Sequence, residues 1–238
     1  MTNETPARSK RPWDGEPARA AHRARHRTAL DAAIESMPFV AILRGLSPAD
    51  APAIGDALHE AGFRLIEVPL NSPDPLTSIE LLAARLPDCV IGAGTVLKPA
   101  EVRAVERAGG RFIVSPNFDP EVIVECVAAG LPALPGVATP SEAFAALKAG
   151  ATALKLFPAE GIPPEVLRAW RAVIPADVAM LPVGGIVPEK IAAYWQAGAT
   201  GFGLGSALYR PGDDASAVTE RARRFVAAWD AANGRLTT

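Results

Sequence analysis

Eight short apolar runs recur along the chain, each followed by a helix-length stretch of Ala, Leu and charged residues. The runs are FVAIL (39–43), FRLIEV (63–68), CVIGAG (89–94), RFIVS (111–115), LPALPG (131–136), ATALKLF (151–157), VAMLPV (178–183) and TGFGLG (200–205). They are continuous rather than alternating, as expected of strands covered by helices. The spacing predicts helices over Asp50–Ala61, Ile79–Arg85, Pro99–Ala108, Pro120–Ala129, Ser141–Ala149, Pro164–Val173 and Pro188–Ala197, and a closing helix over Asp214–Ala232. Ala-Gly endings at Gly62, Gly109, Gly130, Gly150 and Gly198 suit the residue just past a helix, where positive φ is wanted. Pro99, Pro120, Pro164 and Pro188 suit first helical turns. Strand and helix alternating in this way imply an α/β protein with parallel strands. Eight units in 238 residues predict a single (β/α)8 TIM barrel, a fold that commonly takes about 200–250 residues. An open doubly wound sheet would more often carry a glycine fingerprint after its first strand, and RGLSPAD after FVAIL lacks one.

Residues 1–26 are rich in Arg, Pro and Ala without apolar periodicity and are expected to form a disordered tail. A helix begins near Thr28, carrying Leu30, Ile34 and Met37, so the barrel domain is taken as 27–238. The tail is basic, with seven Lys/Arg against three acids between Met1 and Arg27, but no motif or aromatic spacing makes it a nucleic-acid arm. A formal net charge of −2 gives no global field favouring nucleic acid or a membrane surface. No stretch approaches the roughly 20 apolar residues of a membrane span. The N-terminus lacks a signal-type apolar core, and a cytoplasmic location is expected. Cys89 and Cys126 read as small buried hydrophobes rather than a disulfide or metal pair. The three histidines are His22 and His26 in the tail and His59 in a helix. Chemistry in this chain therefore falls to Lys, Glu, Arg and hydroxyls.

Barrel enzymes carry their sites at the C-terminal ends of the strands. Four polar residues stand out there: Arg44, Glu67, Thr95 and Lys155. Lys155 lies in ALKLFP, and period 2 puts Ala151, Ala153 and Lys155 on one face. Facing inward, a desolvated amine would have a lowered pKa and could attack a ketone; the alternative is a lysine snorkelling or paired in the core. Glu67, in LIEVPL, lies on the second run, opposite the sixth in an eight-membered ring, and could relay protons or simply pair with Lys155. Arg44 can bind a carboxylate at two points or form a rim ion pair. Thr95 can donate a hydroxyl or cap the next helix. PVGGI (182–186) and GLGS (203–206) follow the seventh and eighth strands, where barrels frequently bind phosphate through backbone N–H groups. Gly184, Gly185, Gly205 and Ser206 are the candidates.

These residues together resemble the 2-keto-3-deoxy-6-phosphogluconate/6-phosphogalactonate aldolase family. The matching stretches are AILRG (41–45), IEVPLNSP (66–73), IGAGTVLKPAEV (91–102), FIVSPNFDPEVI (112–123), LPGVATPSEAFAALKAGATALKLFPAE (134–160), PVGGIVPEKI (182–191) and GLGSALYR (203–210). The resemblance implies that Lys155 forms the imine with the substrate's C2 ketone and that Glu67 moves protons through a water. It implies that Arg44 and Thr95 hold the carboxylate, that Pro116 and Phe157 wall the pyruvate end, and that Gly184, Gly185, Gly205 and Ser206 hold the phosphate. It further implies a phosphorylated keto-acid substrate, no cofactor and a homotrimer. Gluconate-type members often carry Thr before the glycine pair and Arg where Asn71 stands. Val183 and IEVPLNSP look closer to the galactonate branch, with gluconate and 4-hydroxy-2-oxoglutarate cleavage as the alternative.

A phosphate-binding isomerase or epimerase would share the glycine loops but needs other acid–base groups or metal ligands, which the strand ends do not offer. A phosphate-ligand sensor reusing the fold would not need Lys155.

Overall fold

The computed structural model describes residues 29–234. The expected tail, Thr28, His22 and His26 lie outside them. A helical stretch over 29–36 (α1) leads into β1 (Phe39–Ile42), α2 (Ala51–Glu60), β2 (Leu65–Pro69), α3 (Pro75–Arg85), β3 (Val90–Gly94) and α4 (Pro99–Arg107). Then follow β4 (Ile113–Val114), α5 (Pro120–Ala129), β5 (Ala133–Leu134), β6 (Gly136–Val137), α6 (Pro140–Ala149) and β7 (Ala153–Leu156). The chain continues through α7 (Pro164–Arg171), β8 (Ala179–Pro182), α8 (Ile191–Gln196), β9 (Phe202–Leu204) and α9 (Ala215–Ala232).

All pairings between these strands are parallel, in the orders β5-β4-β3-β2-β1-β9 and β6-β7-β8. The result is a curled parallel sheet with helices on its outer face. The predicted strand LPALPG is divided into β5 and β6 at Pro135, which has no N–H to give to a ladder. Its carbonyl is still used, accepting from Lys155 N at 3.0 Å.

Local chemistry accounts for most helix limits. The glycines of the Ala-Gly endings all have positive φ: Gly62 (97°), Gly109 (86°), Gly130 (73°), Gly150 (109°) and Gly198 (103°). Thr139 and Glu142 form a reciprocal capping box at α6, and Asp214 caps α9 by accepting from Ala217 N. Two expectations needed correction. α3 starts at Pro75, ahead of the predicted Ile79: its first turn opens on a proline, and Leu76 packs against the core. The helix predicted over Pro188–Ala197 is a short helical turn, Pro188–Lys190, followed by α8.

The pleat sorts the strand side chains into two shells. Phe39, Ala41, Ile66, Val68, Ile91, Ala93, Leu154, Leu156, Phe202 and Leu204 pack outward against the helices. Each large apolar side chain buried this way contributes about 1.5–3 kcal/mol. Val40, Leu65, Val90, Phe112, Val114, Leu134, Ala153 and Leu181 form an inner cluster with Leu30 and Ala33 of α1. Leu65 and Val90 open their strands, so α1 closes the N-terminal end of the curled sheet. Ala151, expected on the inward face with Lys155, packs in the outer cluster instead. β7 begins only at Ala153, so the strand period does not extend back to it.

Candidate active site

Strand alternation decides which side chains face the interior. On β2, Ile66 and Val68 face the helices, which turns Glu67 inward. On β7, Leu154 and Leu156 face outward, which turns Lys155 inward above Ala153. Lys155 registers against Gly136 on one side and Leu181 on the other. Gly136 has to be glycine, since a Cβ there would lie 2.2 Å from Pro116 O.

Lys155 and Glu67 line one small cavity with Val40, Ile42, Val114, Leu134, Leu181, Val183 and Gly203. Its volume is about 10 Å³, close to what a single water requires. The two charged residues are 6% and 2% exposed, so both are desolvated. Burial pushes the Lys155 amine below the usual lysine range, with the Glu67 carboxylate pulling it back up and Arg44 adding to the downward push. Burial likewise raises Glu67 above the usual carboxylate range, against the opposing pull of Lys155 and Arg44. The Phe157 ring lies beside the amine, its centroid 4.8 Å from Nζ. Such a site offers an amine that readily sheds its proton and a carboxyl able to carry one.

Gly94, at the end of β3, makes room for this carboxylate: a Cβ there would sit 2.6 Å from Glu67 Oε1 and 3.0 Å from Cδ. Sequence reasoning missed Gly94, because IGAGT reads equally well as a tight turn.

Arg44 and Thr95 are brought together at the C-terminal ends of β1 and β3. Arg44 Nη2 donates to Thr95 Oγ1 at 3.5 Å, and Nη1 donates to Asn71 Oδ1 at 2.6 Å. Asn71 is therefore a positioning partner of Arg44, a role not legible before the loops were placed. Thr95 does not cap α4, whose N-cap is Lys98. Its φ of 56° is strained for a β-branched residue, the kind of strain that clusters at functional sites.

The two glycine loops are neighbours, since Val183 and Gly203 form a parallel bridge. Gly184 and Gly185 have φ of 111° and 58°. Gly205 faces open space and Ser206 is exposed. Pro116 is half-buried, and its carbonyl meets Gly136 beside Lys155.

One group of metal-type donors occurs among the described residues: His59, Asp88 and Cys89, within 4.8 Å of one another. It lies at the N-terminal end of β3, with Arg64 Nε 3.6 Å from Asp88. Burial pushes the Cys89 thiol up to about 11, so neither neighbour favours a cation. No helix among the described residues is long and apolar enough to cross a membrane.

The sequence model of the family described as "Aldolase: KDPG and KHG aldolase" matches residues 30–220. The chain belongs to this aldolase family. It is 48% identical over 198 residues to a probable 2-dehydro-3-deoxy-6-phosphogalactonate aldolase of Rhizobium meliloti, covering 83% of this chain and 93% of the relative. It is 46% identical to the 2-dehydro-3-deoxy-6-phosphogalactonate aldolase of Escherichia coli, covering 81% and 95%. Identity to the 2-dehydro-3-deoxy-phosphogluconate aldolase of Pseudomonas aeruginosa is 36%, covering 66% and 70%. A solved structure described as native KDPGal superposes with a TM-score of 0.82 at 45% identity, covering 83% of this chain and 97% of that one. Within this family fold, the buried lysine and glutamate are the two ionisable groups of the inner cavity.

Proposed function

We propose that the chain is a class I aldolase that cleaves 2-dehydro-3-deoxy-6-phosphogalactonate to pyruvate and glyceraldehyde 3-phosphate, with Lys155 as nucleophile and Glu67 as proton carrier. The observation carrying this reading is the burial of both side chains in one apolar cavity. The neutral Lys155 amine adds to the C2 carbonyl, and loss of water gives the protonated imine. Glu67, directly or through one water, takes the proton of the C4 hydroxyl as the C3–C4 bond breaks. The bonding pair moves into the imine, leaving an enamine on Lys155 and releasing the aldehyde. Glu67 returns its proton to C3, and water hydrolyses the pyruvate imine. Arg44 and Thr95 hold the carboxylate, Pro116 and Phe157 wall the pyruvate end, and Gly184, Gly185, Gly205 and Ser206 take the phosphate.

Preference for the galactonate epimer is supported by the higher identity to the galactonate enzymes and by Val183. This residue lines the same cavity as Lys155 and offers no hydroxyl to the sugar chain. The two ladders are read as one closed (β/α)8 barrel. Support comes from the Val183–Gly203 bridge and from Thr152 N donating to Ala133 O and Lys155 N to Pro135 O across the β5/β6 break. A homotrimer is the form that the resemblance implies, and a cytoplasmic location is the one expected from the sequence.

Rates on the two C4-epimeric phosphorylated acids, measured side by side, test the substrate; faster cleavage of the gluconate epimer would reverse the preference. Borohydride reduction with pyruvate should add a pyruvate-sized mass at Lys155. Lys155→Met should lose both trapping and cleavage while staying folded, and turnover persisting in that variant would refute the imine route.

A further inference from the structure

The turn that follows β7 rests on the loop that follows β8. Ala159 N donates to Val183 O at 2.9 Å, seating the short helical turn Ala159–Gly161 against Val183–Gly185. Tyr194 of α8 holds the turn from its other side. Its buried hydroxyl lies 3.0 Å from Ala159 O and 3.2 Å from Ile162 O. Glu160 is thus carried on backbone anchored both before and after it.

The consequence is where the Glu160 carboxylate comes to lie. A Cβ at Gly184 would fall 2.5 Å from Glu160 Oε2, and one at Gly185 would fall 2.9 Å from Oε1. The carboxylate therefore covers the glycine pair. It is exposed and makes no hydrogen bond or ion pair among the described residues. Two cations are tied to the same loops through backbone oxygens. Lys190 Nζ donates to Gly185 O at 2.8 Å, and Arg210 Nε donates to Ser206 O at 3.0 Å. Neither forms an ion pair among the described residues.

We propose that Glu160 is a specificity-determining residue of the phosphate subsite: its carboxylate is a built-in anion on the Gly184–Gly185 pair, which a phosphoryl group must displace. The proposal rests on the reading of these loops as the phosphate site. A phosphoryl group tethered to a keto acid already anchored at Lys155 and Arg44 arrives at a high effective concentration and overcomes the repulsion. Free inorganic phosphate has no such anchor and is turned away. Lys190 and Arg210 supply the attractive field that keeps the subsite open to the tethered dianion.

Inorganic phosphate, used as an inhibitor of cleavage of the phosphorylated keto acid, reads this directly. Glu160→Gln keeps the side chain's shape and removes its charge. Its inhibition constant for inorganic phosphate should fall roughly 3- to 10-fold, with a smaller drop in KM for the phosphorylated acid. Pyruvate-dependent trapping at Lys155 should be unchanged. Phosphate inhibition that is unchanged or weaker in Glu160→Gln overturns the proposal. Ser206→Ala separates the two layers of the argument. If it weakens phosphate inhibition and raises KM, the subsite reading stands and the Glu160→Gln result bears on Glu160 alone. If it alters neither, the subsite reading falls and takes the proposal with it.

Discussion

Gly94→Ala is a sharp test of how the Glu67 carboxylate is positioned. The backbone at Gly94 lies outside the left-handed region, so alanine is allowed there. The new methyl, however, would sit 2.6 Å from Glu67 Oε1, where ordinary contact begins near 3.4 Å. The carboxylate must therefore retreat by about 0.8 Å or rotate, because the methyl carbon is fixed to the strand. Folding should tolerate this, since the displaced group is the end of a flexible side chain. Alanine also restricts the unfolded chain, so the net stability change should stay within about 1 kcal/mol. Catalysis should not tolerate it. A misplacement of about 1 Å in a catalytic group can cost about 100-fold in rate, or about 2.7 kcal/mol of barrier. The assay is steady-state cleavage together with thermal unfolding and pyruvate-borohydride trapping. The expected result is a kcat down about 10- to 100-fold, a nearly unchanged Tm and Lys155 still trappable. A folded Gly94→Ala enzyme with kcat within about 3-fold of the parent would refute the claim that this carboxylate position matters.

Glu67→Gln should move the titration of Lys155. Burial lowers the amine's pKa and the Glu67 charge raises it, so removing that charge lets the value fall further. The midpoint for reaction of Lys155 with an amine-directed reagent should shift to lower pH, and a shift upward or none at all would contradict the electrostatic assignment. Thr95→Gly should relieve the positive-φ strain and stabilise the fold by about 1 kcal/mol. It should also raise KM about 2- to 10-fold through loss of the hydroxyl. A variant that gains stability without any KM change would remove Thr95 from substrate binding.

The sequence made the inward charges legible because charge is conspicuous within an apolar run. Glu67 in LIEVPL and Lys155 in ALKLFP stand out on that ground. The parallel α/β alternation was equally accessible, since continuous apolar runs separated by Ala-Gly helix ends leave few alternatives. What stayed hidden depended on long-range contact. Gly94 serves a carboxylate on a different strand, Asn71 steers a guanidinium from a different loop, and Tyr194 holds a turn 35 residues away in sequence. Such roles have no local signature. Ala151 shows the converse limit: period 2 counted back from Lys155 reaches it two residues before β7 begins, where the side chain packs in the outer cluster.

The helix sealing the lower rim of the curled sheet has a kinetic implication. With Leu30 and Ala33 packed across that rim, traffic to and from Lys155 uses the opposite opening. In the mechanism proposed above, the three-carbon fragment held on Lys155 would occupy the dead end, with the phosphorylated aldehyde between it and the exit. Shape would then order departure in that mechanism: the aldehyde leaves first, and the water that frees pyruvate enters through the space it vacates.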